Sequence, residues 1–126
     1  MAQSDIRRYE ARAASSEVFG RVLCTVRNHH FVIDGPEQNG CPGEEVTPGE
    51  LFLAAVASCG VELIQVVAKS EEIPLRGIQV EINGWMDRSN PVRADVTVFN
   101  SVSLRFQMQG VTDEDAKVLV EKFKGR

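Results

Sequence analysis

The chain has 126 residues, 43% of them hydrophobic and 25% charged, and a net charge of −4. That length suits one domain around one core, so a single domain spanning 1–126 is expected. The absence of a basic stripe argues against nucleic-acid binding, and residues 1–13, MAQSDIRRYEARA, lack the apolar run of a secretory leader.

In chain order, residues 9–14 alternate weakly and predict a first strand. Residues 21–27, RVLCTVR, alternate properly, with Val22, Cys24 and Val26 on one face. NHH reads as a tight turn and FVID, residues 31–34, as a short returning strand. Adjacent histidines on a strand would point to opposite faces and could not share one ion. Residues 35–48, GPEQNGCPGEEVTP, form a loop rich in Gly, Pro and acids.

A long apolar segment follows, TPGELFLAAVASCGVELIQVVAKS, residues 47–70. Thr47 is placed to cap a helix, Pro48 suits its first turn, and Glu50 lies near the positive end of the dipole. Glu62, Gln65 and Gly60 interrupt the run where hydrocarbon would penalise them, so a buried core helix is expected rather than a membrane span. Apolar residues occupy every face through Ala57, which predicts a helix surrounded on all sides. One sheet in so short a chain cannot supply that cover, and a homodimer is the expected solution.

Three alternating strands are predicted next: 78–82, 92–98 and 102–108, joined by short links as an antiparallel meander. TDEDAKVLVEKFK then predicts an amphipathic helix capped by Thr112, with Ala116, Leu119, Val120 and Phe123 in one stripe. The expected class is α+β. Cys24, Cys41 and Cys59 are an odd set with no CxxC pair and no metal-ligand spacing. Reduced or redox-active thiols in a cytoplasmic protein, with no metal and no cofactor, are the expectation.

Cys59 is either a small core residue or a reactive sulfur. TPGELFLAAVASCG, with the continuation AKSEEIPLRGIQVEINGWMD, resembles the OsmC/Ohr family of thiol peroxidases. The resemblance implies antiparallel sheets wrapped around a long buried central helix in an intertwined homodimer. It further implies an active site at the subunit interface, with Cys59 as the peroxidatic thiol, and an organic hydroperoxide as substrate. An arginine must lower the thiol's pKa, because apolar burial alone raises it. The family's arginine lies in the turn between the first two strands, here SSEVFG, which makes Arg21 the nearest candidate, with Arg12 and Arg27 behind it.

In the family a glutamate directly after the proline orients that arginine. Here the slot holds Gly49, and Glu50, the candidate for the role, stands one place later, turned by about 100°. Glu62 shares a helix face with Cys59 and reads either as an arginine acceptor or as a solvated or interface carboxylate. The family's resolving cysteine follows the C-terminal helix, where EKFKGR has none. Cys41 or Cys24 could resolve internally; an external dihydrolipoyl or small-molecule thiol could reduce the enzyme instead. A non-catalytic protein of this fold binding an apolar small molecule is the alternative reading, and a cysteine that transfers sulfur or an acyl group is a third.

Overall fold

The computed structural model describes residues 5–95 and 98–125. The chain is α+β, with two antiparallel sheets and one long helix, and it divides into two units: one ends at Leu51, the other begins at Phe52.

The first unit is a three-stranded sheet of β1 (Arg12–Ser15), β2 (Arg21–Val26) and β3 (His29–Asp34), in that spatial order. The β1–β2 turn is held by Ser16, whose Oγ donates to the Arg21 carbonyl at 2.8 Å and accepts the Val18 N–H at 3.2 Å. The β2–β3 turn differs from the expected NHH. It consists of Arg27 and Asn28, with Arg27 at φ 53°, and both histidines belong to β3. Pairing Val26 with His29 places Thr25 opposite His30, and Thr25 Oγ1 lies 3.1 Å from His30 Nδ1. That register also sets Arg21 opposite Asp34.

Asp34 is fully buried and accepts four hydrogen bonds. Arg21 Nε donates to Oδ1 and Nη2 to Oδ2, both at 2.8 Å, and the Glu44 and Glu45 backbone N–H groups donate to Oδ2 at 3.0 and 2.9 Å. A forked guanidinium plus two amides is the arrangement that makes a buried carboxylate tolerable. It also fastens the loop after β3 to the sheet, aided by the Asp34 N–H to the Val46 carbonyl at 3.1 Å. Chiefly through the Arg21 fork, the Asp34 carboxyl is held well below its ordinary value of 3.8. Within this loop, after a 3₁₀ turn at Glu37–Asn39, Cys41 sits in a notch made by Gly20 and Gly35, and a Cβ at either glycine would collide with its sulfur.

Helix α1 (Pro48–Ser70) opens with a capping box. Glu50 Oε1 accepts from the Thr47 N–H at 3.0 Å and from Thr47 Oγ1 at 2.9 Å, while the Glu50 N–H turns back to Thr47 Oγ1 at 3.4 Å. The helix stops at Ser70, with Glu72 at φ 55° and the Ile73 N–H bonded to the Ala68 carbonyl at 2.9 Å.

In the second unit, β4 (Gly77–Trp85) pairs directly with β5 (Ser101–Gln109), in register from Gly77 opposite Gln109 to Trp85 opposite Ser101. The strand expected at 92–98 is therefore revised: residues 92–95 and 98 are turn and irregular chain, and Val96 and Thr97 lie outside the described residues. Val92 and Val98 are exposed, so the alternation meets no second layer that would reward a strand. The connection is pinned by Asn100, which accepts the Asp87 N–H and donates to the Asn90 carbonyl, each at 2.8 Å.

Helix α2 (Asp113–Lys124) is capped by Thr112, which accepts the Asp115 N–H at 3.1 Å. Its Leu119 closes a core with Ile64, Val67 and Ala68 of α1, bordered by Ile78, Phe106, Met108 and Phe123. A Lys122–Glu71 ion pair ties α2 to the end of α1. Length and a mean hydropathy of 2.1 would let α1 cross a membrane, but this stripe is used as the core of the unit. The all-round enclosure expected from sequence is that of a dimer, and the single chain covers the helix along one stripe. Only Gly60, Ile64, Val67 and Ala68 are buried, because one hairpin and one short helix cover a single stripe. Phe52 and Val66 remain 54% and 45% exposed.

Two outcomes are expected. Leu119→Ala should cost about 2–5 kcal/mol in denaturant unfolding, the usual range for emptying a full aliphatic site. Asp34 contributes stability that is whole above its ordinary pKa and fades as pH falls from about 4 through its lower folded value. The parent Tm should therefore drop between pH 4 and 2. Asp34→Asn should start lower at neutral pH and decline less steeply; equal slopes would remove Asp34 from this account.

Candidate active site

Cys59 lies in the middle of α1, one residue before the buried stripe begins, and its side chain is exposed. Gly60 explains how the helix packs so closely behind it. The Phe106 and Phe123 rings come within 3.4 and 3.7 Å of where a Cβ at position 60 would stand. Those rings meet edge to face with centroids 5.5 Å apart. The thiol thus stands on a rigid turn backed by aromatic packing, while its own side is open. Ala55, Ser58, Glu62 and Val66 are exposed on the same helix, so the strip around the thiol mixes apolar side chains with a hydroxyl and a carboxylate. The Ser58 hydroxyl is occupied by the Ala55 carbonyl at 3.0 Å.

Arg21 belongs to the first unit, where its Nε and Nη2 serve Asp34 and Nη2 also reaches Glu44 Oε1 at 3.1 Å. The Asp34 hydrogen bonds, then that of Glu44, raise its pKa further above the ordinary value. Its Nη1 makes no hydrogen bond to a described residue. Arg12 is on β1 opposite Thr25, and Arg27 is in the β2–β3 turn.

Glu50 has its carboxylate on Thr47. The Thr47 N–H first, and its hydroxyl second, hold the Glu50 pKa below the ordinary value. Nine residues separate Glu50 from Cys59 along one helix, about two and a half turns, so the two side chains leave on opposite sides. The carboxylates on Arg21 are Asp34 and Glu44, which the sequence reading did not single out. The signal for Asp34 was an acid ending an apolar strand, directly across from an arginine once the hairpin turn is placed at Arg27 and Asn28.

Cys24, on β2 opposite Phe31, and Cys41, in its glycine notch, are both half-buried. Among the described residues, no three His, Cys, Asp or Glu side chains gather as a metal-binding group.

Comparison with known structures places this fold among OsmC proteins. An OsmC-like protein from Mycoplasma pneumoniae superposes with a TM-score of 0.79 at 14% identity, over 95% of this chain and 82% of that one. An organic hydroperoxide resistance protein OsmC from Legionella pneumophila gives 0.72 at 23% identity, covering 97% and 85%. An organic hydroperoxide resistance protein from Elizabethkingia anophelis gives 0.71 at 20% identity, covering 98% and 85%. No curated protein sequence matches significantly. The family model described as OsmC-like protein matches residues 41–126, which include all of α1, Cys59, the β4–β5 hairpin and α2. The chain belongs to the OsmC-like protein family.

Proposed function

We propose that this protein is a cytoplasmic, thiol-dependent peroxidase that reduces organic hydroperoxides, working as a homodimer through Cys59. The observation that carries the reading is the position of the thiol: exposed, on an apolar helix face that its own chain leaves uncovered, inside the segment that matches the family. Exposed apolar area of this kind marks an interaction surface, and a second copy closing over it would give the sulfur a water-poor pocket. Such a pocket favours an alkyl hydroperoxide over hydrogen peroxide.

In the reaction the Cys59 thiolate attacks the terminal peroxide oxygen. An S–O bond forms and the O–O bond breaks, leaving a sulfenic acid and an alkoxide that takes a proton to become the alcohol. An external thiol then displaces water from the sulfenic acid to form a mixed disulfide. A second thiol equivalent, or the other sulfur of a dihydrolipoyl group, restores Cys59 and leaves as disulfide. Arg21 is the proposed cation for the thiolate; its unengaged Nη1 is the edge it would offer. A guanidinium keeps its charge at any working pH, so its influence on the thiol does not titrate away.

The non-catalytic reading, an apolar small-molecule binder of the same fold, draws on one observation. The family's glutamate slot is Gly49, and Glu50 spends its carboxylate on the helix cap. The two readings separate in one assay, with an alkyl hydroperoxide and a dithiol. The peroxidase reading expects turnover by the parent and loss of it to background in Cys59→Ser. It also expects Arg21→Gln to slow turnover about tenfold or more at pH 7, as a one-unit rise in thiol pKa would. Undiminished peroxide consumption by Cys59→Ser would end it, and a parent that consumes no peroxide while binding apolar ligand would establish the alternative.

A further inference from the structure

We propose that the first sheet carries, beside its β2–β3 turn, a binding site for a small phosphate monoester, held by Arg8, Arg12 and Arg27 and independent of Cys59. These three side chains line one open pocket of about 320 Å³, together with Glu10, Ala11 and Thr25. That volume is at the small end of the range of about 300–1,000 Å³ in which small-molecule sites fall. All six residues belong to the first unit, so one unit supplies the whole pocket.

The register of the sheet brings the cations together. Arg12 stands opposite Thr25, and Thr25 opposite His30, so the three share one row across β1, β2 and β3. Thr25 Oγ1 lies 3.1 Å from His30 Nδ1, which steadies the threonine side chain. Two residues on, Arg27 begins the β2–β3 turn, and Arg8 reaches the same pocket from the chain that leads into β1. Arg27 has a φ of 53°, where a two-residue hairpin turn ordinarily takes glycine or asparagine. The turn thus keeps a long side chain where the backbone favours none, and that side chain lines the pocket.

Among the described residues, none of the three guanidinium groups has an ion pair or a hydrogen bond. The chain as a whole is acidic, at −4, yet here three cations meet a single carboxylate, that of Glu10. Guanidinium groups gathered in one pocket repel one another, and a surplus of two positive charges is what a dianion cancels. A phosphate monoester, with a second pKa of about 6, carries about −1.5 to −2 at pH 7, whereas one carboxylate carries a single charge. Phosphate oxygens also suit the planar fork of arginine, which takes them in pairs. Glu10 then selects within the class. It repels a bare phosphate but accepts a hydrogen bond from a hydroxyl on the ester group, which favours a polyol or sugar phosphate.

Titration followed by amide NMR reads both affinity and place, with glycerol phosphate, glycerol and inorganic phosphate as probes. The parent should bind glycerol phosphate with shifts centred on Thr25 and Arg27, and should not bind glycerol. Arg12→Gln should weaken that binding about tenfold, the loss of one charge-assisted contact. Arg27→Gly should weaken it by a similar factor with Tm unchanged or raised, because glycine accepts the positive φ without strain. Glu10→Gln should tighten inorganic phosphate and remove the advantage of glycerol phosphate over it. Unchanged affinity in either arginine variant, or shifts centred elsewhere, would overturn the proposal. Sedimentation with phosphatidylcholine vesicles, with and without phosphatidic acid, distinguishes a lipid source of the same group. Capture by phosphatidic acid without affinity for glycerol phosphate would overturn the assignment to a soluble ester.

Discussion

Helix α1 carries more apolar surface than its own chain can cover, and the rest of the molecule follows from that imbalance. The β4–β5 hairpin and α2 account for one stripe, Gly60, Ile64, Val67 and Ala68. What they leave open includes Phe52, Val66 and the thiol. Exposed apolar side chains there are costly in water, and this is the face over which the proposed function places a second copy.

The first unit solves a different problem, that of keeping a charge still. Arg21 sits at the start of β2, directly across from Asp34 at the end of β3. Burying Asp34 would be prohibitive alone, but four donors converge on it, two of them from the loop that follows the strand. The result is an arginine whose orientation is set by the sheet and by the loop together. A guanidinium held by Nε and Nη2 has one nitrogen left, and that nitrogen is fixed in direction rather than free to wander. Rigid placement would suit the role proposed for Arg21, since Coulomb attraction falls with distance.

Most of this was legible in the sequence, and the reasons for the exceptions are specific. TPGE announces a helix start, with Thr47 as its cap and Glu50 near the positive end of the dipole, and the structure joins Thr47 and Glu50 in a capping box. The strands at β4 and β5 and the amphipathic α2 were equally plain from their periods. The segment 92–98 was misleading because alternation records only which faces could be buried. Val92 and Val98 find no layer to cover them, and β5 pairs with β4 directly. The histidines mattered more. Placing the turn on NHH rather than on Arg27 and Asn28 slips the β2–β3 register, and with it the one pairing that reveals Asp34 as the partner of Arg21. Sequence spacing did mark Glu62 as sharing a face with Cys59, but it could not say that Glu50 would be spent on its own helix cap.

The notch that receives Cys41 has an evolutionary corollary. Gly20 and Gly35 are the immediate neighbours of Arg21 and Asp34, and the Gly35 N–H closes onto the Gly20 carbonyl at 2.8 Å. With φ at 81°, position 20 already disfavours any side chain, and a methyl there would drive into the sulfur. Positions 20, 35 and 41 therefore cannot drift one at a time. In related sequences they should covary as a trio, a bulkier residue at 41 being admitted only where both glycines persist and the loop has moved outward.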